Sequence, residues 1–187
     1  MANVDAPNGF TPVRHLTGGT IRMEELPLAS ATAASIFSGD VVELLATGYV
    51  SVGTASSASF VGVFAGCSYT AADGTRVFSK MWTGGTVTSG SADAIAYVYS
   101  DPNIVFAAQT SGTAAFADNG ALLDLEATAG DTVTGRSRQE IDEDASADDF
   151  FRQVGLVKKP DNAWGANAEI EVVISKHAYG AQAGVAI

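Results

Sequence analysis

Apolar residues in this chain come in short runs separated by turn formers. They do not recur at the three- and four-residue spacing of a helical face. Segment 94–99 (Ala-Ile-Ala-Tyr-Val-Tyr) reads as a strand, Asp101-Pro102-Asn103 as a turn, and 104–109 (Ile-Val-Phe-Ala-Ala-Gln) as its hairpin partner. Segments 41–45, 49–52 and 59–69 are short β-prone runs, with Gly62 and Gly66 marking bends or bulges in the third. Asp73-Gly74 reads as a turn before 76–82, which alternates loosely. Two further strands are expected at 150–158 and 168–177, joined by a loop rich in turn formers. Segment 122–125 is short and apolar, and 136–141 reads as an edge strand whose charges discourage foreign pairing. Helical turns fit only 29–37 and 113–118.

The first 28 residues differ in texture. Pro7, Pro12 and Pro27, with Asn8-Gly9 and Gly18-Gly19, interrupt any regular element. Phe10, Val13, Leu16, Ile21, Met23 and Leu26 are spaced between them. Such an extended apolar segment cannot bury itself and must lie on its own domain, a neighbouring copy or a partner. The organisation expected is an arm over 1–28, a β-rich body over 29–177 and a charge-free tail over 178–187. The fold class is all-β: a compact barrel or sandwich with an extended N-terminal arm and at most one or two short helices.

Composition narrows the function. The chain has 187 residues, 47% of them hydrophobic, which suffices for one domain with its own core. Its ten Lys and Arg are scattered and its net charge is −11, so it offers neither a groove for nucleic acid nor an attraction to anionic membranes. The longest uncharged stretch, 44–72, is broken by glycines and serines and is not a spanning helix. No secretory signal is read at the start of the sequence. The one cysteine, Cys67, lies in an apolar run and reads as a buried small hydrophobe.

Candidate chemistry is sparse. There are two histidines, His15 and His177, and no serine sits in a nucleophile elbow. Phosphate-binding glycine fingerprints are missing, and His and Cys are too few for a zinc site. Carboxylate pairs for glycoside hydrolysis lack the aromatic surroundings that cradle a sugar. Asp142, Asp144 and Ser146 match the first three ligand positions of a calcium loop. Ala147 then stands where that loop needs glycine, and Gln153 where it needs the bidentate glutamate. The bland reading of 140–149 is a solvated acidic loop. These residues point to a non-enzymatic protein without a cofactor.

Four stretches carry a resemblance to a known family. They are 3–16 (Asn-Val-Asp-Ala-Pro-Asn-Gly-Phe-Thr-Pro-Val-Arg-His-Leu), 118–122, 134–142 (Thr-Gly-Arg-Ser-Arg-Gln-Glu-Ile-Asp), and 161–168 leading into 172–177. Together they resemble the decoration, or cement, proteins encoded near the major capsid gene of tailed bacteriophages. The resemblance covers both ends of the chain better than residues 43–110. It implies a β-rich body, assembled as homotrimers on the outer face of an icosahedral head after synthesis in the host cytoplasm. Its partners would be the major capsid protein and further copies of itself. The apolar arm is the expected contact with shell or neighbour, through Phe10, Pro12, Val13, Arg14, His15 and Leu16. The competing reading folds the arm onto its own domain as an edge strand. The alternative functions are another virion assembly component (tail, fibre or head closure) or a calcium- or carbohydrate-binding β module.

Overall fold

The computed structural model describes residues 3–143 and 149–180. Its strands are β1 (Thr11–His15), β2 (Glu24–Leu28), β3 (Ile36–Phe37), β4 (Val41–Leu44), β5 (Val50–Val52) and β6 (Gly62–Thr70). The middle of the chain adds β7 (Arg76–Ser79), β8 (Met81–Trp82), β9 (Ala94–Tyr99), β10 (Ile104–Gln109) and β11 (Thr113–Ala114). The last third adds β12 (Leu122–Glu126), β13 (Glu140–Asp142), β14 (Phe151–Leu156), β15 (Gly165–Ala166) and β16 (Glu169–Ile174). The protein is all-β. Its only helical turns among the described residues are short 3-10 turns at Ser89–Ser91 and Phe116–Asp118.

Two six-stranded sheets dominate. The first runs β1-β10-β16-β14-β12-β13, and the second runs β2-β9-β6-β4-β5 with β7 also on β6. Neither closes into a barrel, and every strand pair in them is antiparallel. β3 with β8 and β11 with β15 form two further, two-stranded sheets.

The expected hairpin of 94–99 with 104–109 does not form. β9 pairs with β2 and β6 in the second sheet, whereas β10 pairs with β1 and β16 in the first. The turn between them carries the chain from one sheet to the other. Burial gives the reason: β9 alternates buried and half-buried residues, whereas Ile104 to Ala108 are all buried. A strand covered on both faces belongs in the interior of a sheet, not at the rim of a hairpin.

Two apolar clusters follow from this layout. Phe10, Phe60, Phe106, Phe150, Phe151 and their neighbours fill the larger one against the first sheet. Leu28, Ile36, Val61, Phe64, Trp82 and Val98 fill the smaller one, with Cys67 among them. β4 and β6 contribute to both, Val41 and Val63 to the larger and Val42 and Phe64 to the smaller, so the second sheet stands between the two cores.

Two helical expectations change. Segment 29–37 makes turns with Ala31 in a left-handed conformation, and its end pairs as β3 with β8. Segment 113–118 is a two-residue strand and then a 3-10 turn. Of the expected edge strand 136–141 only the end is regular, as β13 at the rim of the first sheet.

Candidate functional site

The described part of the N-terminal segment folds onto its own domain, at the edge of both sheets. β1 pairs with β10 at one end of the first sheet, and β2 pairs with β9 at one end of the second. Pro12 and Pro27 are tolerated because each sits on a rim strand. Asn8-Gly9 sets the geometry. Gly9 has φ +66, and a Cβ there would lie 2.6 Å from Ser137 Oγ and 2.7 Å from Gly39 O. That close approach turns Phe10 inward, where its amide donates to Gly39 O at 2.9 Å and its ring lies 2% exposed.

Phe10, expected among the contact residues, packs in the larger core of this chain, its ring stacked on that of Phe151 in β14. The other expected contacts divide. Pro12 is half-buried opposite Phe106. Arg14 is ion-paired with Glu171 at 2.7 Å. Val13, at a bulge in β1, and Leu16 are 44% and 49% exposed and present apolar surface.

His15 locks the turn that follows β1. Its Nε2 lies 3.1 Å from Asp101 Oδ2, and its Nδ1 meets the Thr17 hydroxyl at 3.0 Å. Nδ1 also accepts the amides of Thr17 and Gly19, at 3.3 and 3.2 Å, which assigns the ring proton to Nε2. Hydroxyl, imidazole and carboxylate thus stand in a row, as hydrolases require. Here the single Nδ1 lone pair is shared with two turn amides, so the row reads as a turn lock and not as an activated nucleophile. The Asn103 amide is the main influence holding the Asp101 carboxyl below its ordinary range, and the His15 ring adds to it.

Behind β1 lies a buried polar hub. The Asp40 carboxylate accepts the Phe37 amide at 2.7 Å, and the Ser137 hydroxyl also bonds to it. Gln139 accepts the Val41 amide at 2.7 Å and donates to Gly53 O at 3.1 Å. Burial outweighs these bonds for Asp40 and pushes its pKa up to about 6. His177, bridged to Phe60, is 3% exposed, with Nδ1 accepting the Tyr179 amide at 3.0 Å. Burial pushes its pKa down to about 4.

The acidic stretch forms the β12-β13 rim. Asp142 sits opposite Asp124, and Glu140 opposite Glu126. Asp144 and Ser146, the other two candidate cation ligands, lie outside the described residues. Among the described residues no three His, Cys, Asp or Glu side chains converge as a metal site. Glu140 is raised above the ordinary carboxylate range, first by burial and then by Asp5, Glu126 and Glu143. Glu143 is raised by burial, eased by the Thr110 hydroxyl and the Gly112 amide.

A second surface escaped the sequence reading. β6 is nine residues long, and only its first half is covered by the larger core. Beyond it the outer face of the second sheet is bare. There Met23, Ala65, Gly66, Phe78, Lys80 and Tyr97 line an open hollow of about 410 Å³. Phe78 is 72% exposed under the Arg76 guanidinium, 5.5 Å from its ring centre. Arg76 in turn donates to Ser68 Oγ at 2.9 Å, and Ser68 meets the Tyr97 hydroxyl at 3.1 Å. The signal in the sequence was the alternation of 76–79, which was legible as a strand but not as an outward face.

Of the stretches named above, 3–16 binds both 161–168 and 134–142. The Asn3 side chain donates to Ala163 O and Ala166 O, both at 2.8 Å, and accepts the Ala163 amide. Arg136 donates to Asn8 Oδ1 at 3.0 Å, one residue before the Gly9 contact with Ser137. Their role in this chain is to clasp the N-terminal segment. Comparison with family models, with curated proteins and with solved structures finds no match for this chain.

Proposed function

We propose that the protein is a non-enzymatic structural component of a tailed-phage virion, bound to the outer capsid surface where it bridges neighbouring capsomers. The observation that carries this reading is the position of β1. It is the outermost strand of the first sheet, no described strand pairs with its outer side, and Val13 and Leu16 stand exposed on either side of Arg14. A rim strand offers main-chain groups for pairing, and its side chains supply the apolar area that binding buries. The net charge of −11 suits a surface turned away from packaged DNA. Repeated over a symmetric shell, individually weak contacts add to a strong total. The resemblance in the terminal stretches agrees with this role, with the major capsid protein as partner and homotrimers as the unit.

The test is co-sedimentation of the purified protein with undecorated phage heads. The wild type is expected to bind, and Val13→Asp/Leu16→Asp to lose binding while keeping its far-ultraviolet circular dichroism. A wild type that stays in the supernatant overturns the reading.

A further inference from the structure

The bare half of the second sheet is not a random apolar patch. Its side chains form two ordered rows across four strands. One row runs Pro27, Ile95, Ser68, Phe78, and the next runs Glu25, Tyr97, Gly66. Lys80 extends the second row, because its Cα lies 3.8 Å from where a Gly66 Cβ would stand. The face therefore has carboxylate on the β2 side, cations on the β7 side, and rings and a gap between. Gly66 keeps that gap open. A side chain there would meet Ser79 O at 2.8 Å, so the floor stays flat.

We propose that this face binds the same face of a second copy about a two-fold axis that runs along the strands between β9 and β6. The charges select that axis. A two-fold contact places each position against its mirror position in the row. Lys80 then meets Glu25 of the other copy at both ends of the contact, and Phe78 lies over Pro27. The Tyr97 ring enters the gap above Gly66. A two-fold axis running across the strands would leave cations over cations on one side and carboxylates over carboxylates on the other. Composition agrees, since Phe, Tyr, Met and Arg are enriched at the centres of protein interfaces. Phe78 and Tyr97 are also held in place beforehand, by Arg76 and Ser68, so little side-chain freedom is lost on contact. This contact stands apart from the β1 rim and does not rest on the capsid reading. If the chain forms threefold groups, it would join one group to the next.

The experiment is sedimentation velocity over a concentration series, with the full chain. The mass of the wild type is expected to double, from one unit to two. Lys80→Glu alone and Glu25→Lys alone should each weaken the association at least tenfold, because each homotypic contact then carries two like-charge pairs. An equimolar mixture of those two variants should associate again, since every contact between unlike chains has its opposite charges restored. Phe78→Ser, at an exposed position, should also weaken association with its thermal unfolding unchanged. A wild type that keeps the mass of the single unit at every concentration overturns the proposal. So does association that survives both charge variants, or a mixture that fails to restore it. Loss of head binding in Phe78→Ser, with solution mass unaffected, would assign the face to the capsid instead and also overturn it.

Discussion

The ring of Phe10 stacks on that of Phe151, with centroids 4.9 Å apart and planes 19° from parallel. This contact ties the N-terminal segment into the larger core, where Phe60 lies 5.8 Å from Phe151 on its own stacking contact. Phe10→Ala should cost about 3–5 kcal/mol, the range for emptying a buried aromatic site. Urea denaturation would measure it. Deleting residues 1–28 removes Phe10, Leu28 and a rim strand from each sheet, so the truncated chain is expected to be unfolded or insoluble, with no two-state transition.

The Gly9 backbone has a similar part at lower cost. Gly9→Ala forces a left-handed φ of +66 on a residue with a Cβ and presses it against Ser137 and the Gly39 carbonyl. A loss of about 2 kcal/mol or more is expected. Gly18→Ala, also left-handed at φ +76 but with no neighbour within 4 Å, should lose less. The difference between the two variants isolates the packing component.

Two buried groups oppose one another in pH. Asp40 is harder to ionise folded, at about 6, than unfolded, near 3.8. The folded chain holds its proton more tightly, so the stability contributed by this group is full in acid and is lost as pH rises through about 6. His177 is harder to protonate folded, at about 4 against 6.5. Its contribution is full above 6.5 and is lost as pH falls towards 4. Each effect is worth roughly 3 kcal/mol, at about 1.4 kcal/mol per pH unit. The wild type should therefore show a shallow profile over this window. Asp40→Asn should lose stability steeply as pH falls, and His177→Gln should lose it as pH rises. Denaturation midpoints at half-unit steps would show the slopes, and slopes of the reverse sign would refute the assignment.

Cys67 gives a simple probe of packing. Burial raises its thiol to about 11, and its Sγ lies 3.5 Å from Met81 O. At pH 8 the native protein should fail to react with an aromatic disulfide reagent. In denaturant it should release one equivalent within the mixing time, since the sequence holds one cysteine.

The facing carboxylates Glu126 and Glu140 make the acidic rim less stable than it could be. Glu126→Lys converts a like pair into an opposite pair across β12 and β13. It should stabilise by about 0.2–1 kcal/mol, with the gain shrinking in high salt.

The strands were legible where burial is regular. Segments 94–99, 104–109, 150–158 and 168–177 announce themselves by β-branched and aromatic runs between turn formers. Pairing was less legible, because adjacency in sequence favours a hairpin and the Ser100–Asn103 turn instead changes sheet. That change depends on β10 being covered on both faces, a property of the assembled layers. The extended segment at the start was legible as needing a surface. That its surface is the rims of both sheets depended on Gly9 meeting Ser137, residues 128 positions apart. The outward rows of the second sheet were illegible for a related reason. Pro27, Ile95, Ser68 and Phe78 come from four separate segments, and only pairing brings them level.

The rim strands also set an order of events during synthesis. β1 and β2 leave the ribosome long before β10 and β9, the strands they pair with. At ordinary elongation rates that interval is on the order of ten seconds. Throughout it the nascent chain carries Phe10, Leu26 and Leu28 with nothing to close over them. Folding must then finish by returning the beginning of the chain to strands made much later, the kind of distant pairing that proceeds slowly. Conditions that shield these residues during the wait, such as a holding chaperone, should raise the soluble yield more than any strengthening of the finished fold.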